Sequence, residues 1–177
     1  MSADAQSPEP QHAPWYALWT HSHAEQLVHD QLVGKGFHPF VPQIDTWSQK
    51  RGVRHLIRVP MFPGYLFVHD AMDKAAYLRV LGTRGLVRVL GERWDRLAVV
   101  ADEQIEAVQR LSAAGRPMVP HPYLRAGQRA RITRGALAGI EGILTEDRSS
   151  RGLLVLSIDL LQRSVAVTVD CTDVEPA

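Results

Sequence analysis

The sequence is poor in almost everything that covalent or metal chemistry would use. One cysteine, Cys171, stands among 177 residues. A lone thiol closes no internal disulfide, and it holds no zinc without several histidines beside it. The chain therefore suits a reducing compartment, with Cys171 as a small apolar filler. No apolar run approaches the roughly 20 residues that cross a bilayer. Met1 to Pro14 hold Pro8, Pro10 and Pro14 among small polar residues and lack the basic and apolar blocks of a signal peptide. Residues 1–13 are read as a disordered tail, and the protein as a cytoplasmic monomer. Net charge is only +1, so no global field draws in nucleic acid and any such contact must come from a local patch.

Catalytic patterns are missing too. There is no GxSxG, P-loop, GxGxxG or HExxH run. His21-Ser22-His23 suits a solvated strand-to-helix turn better than a metal pair. Asp102 and Glu103 are acids favoured by a helix dipole at its start. The expectation is a binding protein, not an enzyme, with no cofactor.

What is present is ordinary globular material, 45% apolar and 22% charged. Trp15 to Thr20 alternates as a strand. A helix should follow, with Ser22 as N-cap and Glu25 at capping-box spacing, stopped by Gly34 and Gly36. Phe37 to Val41 reads as a short strand. Ile44 to Ser48 and Arg54 to Val59 read as hairpin arms around a polar tip at residues 49–53. Phe62-Pro63-Gly64-Tyr65-Leu66-Phe67-Val68 is a strand reached through a Pro-Gly break. Asp73 caps a short helix, Leu86 to Leu90 is a strand, and a last helix starts at Ala101 or Asp102 with Ile105, Val108 and Leu111 on its buried stripe. Interleaved helices and strands predict an α/β sandwich over residues 14–112. Residues 113–122, rich in Ala, Gly and Pro, read as a linker. Beyond them the pattern is all β. Five short strands over about 55 residues, with glycines at the corners, favour a small closed barrel over residues 123–177. The fold class is α+β.

Two clusters invite a partner. Tyr65 and Phe67 share one strand face, and Trp15 and Trp19 share another. If helices cover one side of the sheet only, these aromatics form a partner pocket rather than core, with Leu66 and Val68 inward. Lys50, Arg51, Arg54 and Arg58, with His55, make a dense basic hairpin suited to phosphates, with Asp45 the acid nearby. Arg125, Arg129, Arg131 and Arg134 cluster near the first strand of the second domain.

Several stretches taken in order resemble the N-terminal (NGN) domain of NusG-type transcription factors. They are Trp15-Tyr16-Ala17-Leu18-Trp19-Thr20, the helix after it, Pro60-Met61-Phe62-Pro63-Gly64-Tyr65-Leu66-Phe67-Val68, and Gly82-Thr83-Arg84-Gly85-Leu86-Val87-Arg88. Gly127 to Ile132, Gly135 to Gly142 and Ser157 to Arg163 resemble a KOW module. The resemblance implies a transcription elongation and antitermination factor that bridges the clamp helices and gate loop of RNA polymerase. It implies that Trp19, Phe62, Tyr65 and Phe67 line the polymerase pocket and that Thr83 and Arg84 lie toward the gate loop. The family's usual proline after the threonine is Arg84 here. Lys50, Arg51 and Arg54 would face upstream or non-template DNA. Leu137, Ile140, Leu160 and Leu161 would meet a small-subunit ribosomal protein or Rho. Pro120-His121-Pro122-Tyr123-Leu124 and Arg163-Ser164-Val165-Ala166-Val167 resemble the specialised RfaH- or LoaP-like paralogues. One of these refolds its KOW module into a helical hairpin, whereas alternation at Val165, Val167 and Val169 favours a barrel here. The competing reading is a ribosome-associated KOW protein that binds RNA directly.

Overall fold

The computed structural model describes residues 13–121, 127–146 and 151–177. Among these residues fifteen strands and three α-helices follow one another as β1 (Trp15–Thr20), α1 (Glu25–Gly34), β2 (Pro39–Phe40), β3 (Gln43–Lys50), β4 (Val53–Pro60), β5 (Tyr65–His69), α2 (Lys74–Leu81), β6 (Leu86–Val89), β7 (Gly91–Arg93), β8 (Arg96–Leu97), β9 (Val99–Val100), α3 (Asp102–Ala113), β10 (Met118–His121), β11 (Gln128–Ile132), β12 (Glu141–Glu146), β13 (Arg151–Ile158), β14 (Arg163–Asp170) and β15 (Val174–Pro176).

The first sheet has the order β2-β5-β1-β6, with β9 also on β1, and its pairs are antiparallel. Alternation along β1 sends Tyr16 and Leu18 to one face, where they join Leu66, Val68, Val28 and Leu32 of α1, and Val80 of α2. The other face carries Ala17 and Phe67, packed with Ile105, Val108 and Leu111 of α3 and with Met61 and Phe62. Helices therefore cover both sides of the sheet, not one.

Local chemistry explains the turns. Tyr65 N–H donates to the Phe62 carbonyl at 3.0 Å, and Gly64 has φ +85°. Pro63 then Gly64 is the sequence a type II turn demands, because its third residue needs positive φ. At the tip of the β3–β4 hairpin Lys50 pairs with Val53, so Arg51 and Gly52 alone make the turn. Their φ values, 52° and 81°, are both positive, as a type I′ turn requires. Asp73 caps α2 as expected, accepting from Ala76 N–H at 2.7 Å. The capping box expected on α1 does not form. Ala24 is the N-cap residue and no side chain caps the helix. Glu25 is buried instead, and its carboxylate accepts from Gly64 N–H at 2.6 Å. A carboxylate committed to a distant backbone donor cannot also close its own helix.

The second sheet has the order β10-β14-β13-β12-β11-β15. The five expected strands are all present, and Ala130, Ile132, Val165, Val167 and Val169 are buried as the alternation requires. Among the described residues the order runs from β10 at one end to β15 at the other. β10 lies within the stretch read as a linker, pairing with β14 from Met118 to His121. Its proline is compatible because the strand sits at the sheet edge. The β7–β8 hairpin and β9 were also missed. They are two- and three-residue strands, too short for alternation to register.

Candidate partner-binding site

β1 and β5 pair so that Trp15 faces His69, Ala17 faces Phe67 and Trp19 faces Tyr65. Residues opposite one another in a sheet share a face. Trp15 stacks on His69 with ring centroids 4.5 Å apart. In the middle the small Ala17 leaves room for Phe67, which lies edge-on to Phe62 at 6.3 Å. Both rings are shut away, Phe67 at 0% and Phe62 at 1% exposure. This corrects the expectation that Phe67 and Phe62 line an open pocket: α3 lies over that part of the face. Leu66 and Val68 are buried as expected, so β5 is inward on both faces.

Among the described residues of this face the end beyond α3 is the more open one. There Trp19 is 43% exposed and Tyr65 half-buried. Gly64 packs against the Trp19 indole, with the place of a Cβ 3.8 Å from Cδ1. With Arg88, Leu90, Leu97 and Ala98 these two form one wall of a cleft of about 820 Å³. The opposite wall is Leu160, Leu161, Gln162 and Arg163 from the turn between β13 and β14. Gln162 holds a left-handed backbone, φ 52°, at the apex of that turn. Residues expected to serve two different partners thus line one cleft.

The second domain is fastened at α3 as well. The Arg110 guanidinium donates to the carbonyls of Ala136, at 3.0 Å, and Ala138. That contact holds the turn carrying Leu137 and Ile140, both buried. Leu161 is buried and Leu160 partly so, and the apolar cluster under α3 is continuous with the core of the second domain. A bridge between Asp45 and Pro117 ties the hairpin base to the chain leading into β10.

Thr83, expected to lie toward the gate loop, is 3% exposed, and its hydroxyl accepts from Lys35 Nζ at 2.8 Å, which ties the chain just past α2 to the chain just past α1. Arg84 beside it is exposed, its backbone held by the Gln31 amide. The arginine cluster of the second domain is largely neutralised. Glu141 accepts from Arg129 Nη2 at 3.0 Å and Arg131 Nε at 2.9 Å, and Arg134 lies 4.0 Å from Asp173. Hydrogen bonding from Arg131, then its charge, holds the Glu141 carboxyl below its usual range. Arg125, Tyr123 and Leu124 lie outside the described residues, as does part of the turn at 148–152.

The basic hairpin keeps its expected character. β3 and β4 pair with one another in a sheet of their own. Lys50, Arg51 and Arg54 are exposed, while Arg58 is 3.9 Å from Asp45. His21, Ser22 and His23 form an exposed turn. Among the described residues no cluster of three or more His, Cys, Asp or Glu could hold a metal. Among them, too, no helix is long and apolar enough to cross a membrane.

A family profile described as "Transcription termination factor nusG" matches residues 13–109. The chain belongs to the NusG family. It is 26% identical over 138 residues to the transcription termination/antitermination protein NusG of Escherichia coli K12, covering 77% of this chain and 76% of that one. It is 23% identical to NusG of Buchnera aphidicola over 177 residues, covering 94% and 98%. A solved structure described as "Domain interaction in Thermotoga maritima NusG" superposes with a TM-score of 0.60 at 17% identity, covering 95% of this chain and 99% of that one. That likeness establishes the mixed α/β fold along the chain.

Proposed function

We propose that this protein docks on RNA polymerase through the open end of its aromatic face, with Trp19 and Tyr65 as the anchors for the clamp helices. The observation that carries the proposal is an exposed tryptophan beside a half-buried tyrosine on a rigid, doubly covered sheet. Such anchors contribute most of the affinity at protein interfaces. Arg84, exposed at the far end of α2, reaches toward the gate loop. Lys50, Arg51 and Arg54 reach toward upstream or non-template DNA. Binding energy spent on one clamp conformation favours that conformation, which suppresses pausing or termination.

The second domain sets the condition. Its Leu160–Arg163 turn lines the Trp19–Tyr65 cleft, so polymerase and this turn compete for the same surface. Leu137, Ile140, Leu160 and Leu161 become available to a ribosomal or Rho-type partner when the domains part. The RNA-binding alternative is weakened by Glu141, which engages both Arg129 and Arg131 and offsets part of the charge that RNA would need.

Binding to purified polymerase across a salt series tests the proposal. Docking through an apolar face depends weakly on salt, whereas direct RNA binding falls steeply. A steep salt slope, or no change in elongation on templates with and without a terminator, would remove it.

A further inference from the structure

The β3–β4 hairpin carries a feature that the polymerase reading does not use. Trp47 is 55% exposed, an unusual fate for the side chain with the largest apolar surface. It shares a face with Gln49, Arg54 and Leu56, because Trp47 pairs with Leu56 and Gln49 with Arg54. The Arg54 guanidinium carbon lies 5.5 Å from the indole centroid, in cation–π range. Leu56, at 46% exposure, extends the flat surface beside the ring. Lys50 and Arg51 stand at the tip, Lys50 rooted on the opposite face beside Val53, and Arg58 stands toward the base, 3.9 Å from the hairpin's one acid, Asp45. Among the described residues the hairpin is held at its base by the Asp45–Pro117 bridge and otherwise pairs with itself, so its tip projects from the sheet.

We infer that Trp47, backed by Arg54, is a stacking platform for a base of single-stranded nucleic acid, with Lys50 and Arg51 holding the adjacent phosphates. Two properties select this ligand. The excess positive charge selects a polyanion. The exposed indole face selects a polyanion with free π-faces, and a duplex hides its bases inside the stack. Nucleobases of any sequence stack on such a ring, so the platform supplies affinity rather than sequence choice. The inference deepens the reading of the hairpin as a nucleic-acid contact by naming the strandedness and the residue that detects it.

The test uses the full chain at low salt, with fluorescence anisotropy of a short oligothymidylate, an abasic strand of equal length, and a duplex. The wild type should bind the oligothymidylate about tenfold more tightly than the abasic strand, the difference being base stacking. Trp47→Ala should bring the oligothymidylate down to the abasic level, and Trp47→Phe should restore most of the loss. Lys50→Ala with Arg51→Ala should weaken both strands alike and flatten the salt slope by roughly 1.4. Equal binding of both strands by the wild type, or an unaltered Trp47→Ala, overturns the stacking platform and leaves the phosphate contact standing. An unaltered lysine–arginine double variant overturns the phosphate contact and leaves stacking standing. Tighter binding of the duplex, or loss of polymerase capture by Trp47→Ala with strand binding unchanged, overturns the platform.

Discussion

The Trp19–Tyr65 pair and Trp47 both bring aromatic rings to the surface of the first domain, and they differ in what lies over them. At the end of the main sheet Trp19 and Tyr65 stand on strands bonded on both sides, opposite a wall supplied by the second domain. On the hairpin Trp47 stands on a two-stranded ribbon, faced by one arginine. The first site is built into a sheet and faces a second wall across a cleft; the second has no such wall. Affinity for a shaped protein surface needs anchors fixed in position, and a covering domain can regulate access to them. A base on a flexible strand needs only a flat ring and nearby charge. The same residue type is thus set to different tasks by its supports.

The largest expected effect separates core from face. Phe67→Ala removes a fully buried ring and should cost about 3–5 kcal/mol, read by denaturant unfolding. Tyr65→Ala, half-buried at the edge of the cleft, should cost less than about 2 kcal/mol in the same experiment. Equal losses would mean that Tyr65 also belongs to the core. A variant truncated at Phe67 therefore confuses loss of fold with loss of contact. Trp19→Ala with Tyr65→Ala is the proper probe, and polymerase affinity should fall roughly 30-fold or more with the circular dichroism spectrum unchanged. Wild-type capture by that variant would move the docking site elsewhere.

Smaller effects probe the cover. Arg110→Ala removes the hydrogen bonds to the Ala136 and Ala138 carbonyls. Each such bond is worth about 1 kcal/mol net, so losing both should raise polymerase affinity by up to roughly 30-fold. Lower affinity in a titration would show that the closed arrangement is the one that binds.

The smallest effect lies in the second domain. Glu141, its carboxyl held low chiefly by the hydrogen bond from Arg131, contributes stability that is present above its unfolded pKa and lost as pH falls through the folded one. Glu141→Gln should lower Tm slightly at neutral pH, and the gap should close as the solution is acidified through the carboxylate range. Both groups face solvent, so the effect is small. A gap that widens in acid would contradict the pairing.

Much of this was legible before folding. Asp73 as a cap, the buried stripe of α3, the valines of β14 and the hairpin tip each follow from a local rule acting on neighbouring residues. Glu25 misled because its spacing fits a local bond, while its actual donor, Gly64, is 39 residues away. Phe67 misled because alternation assigns a face but not what covers that face. The burial of Thr83 was not legible for a similar reason, since its partner Lys35 lies just past another helix.

The sequence by itself determined that a mixed α/β portion is followed by an all-β one, which strands alternate inward, and that one hairpin is basic. These are outcomes of periodicity, turn chemistry and charge, all readable over a few residues. Only the tertiary structure decided that α3 buries one half of an aromatic face and that Leu160–Arg163 confronts the other half. Those outcomes depend on which distant segments meet, and burial is settled by the partner that arrives rather than by the residue that waits.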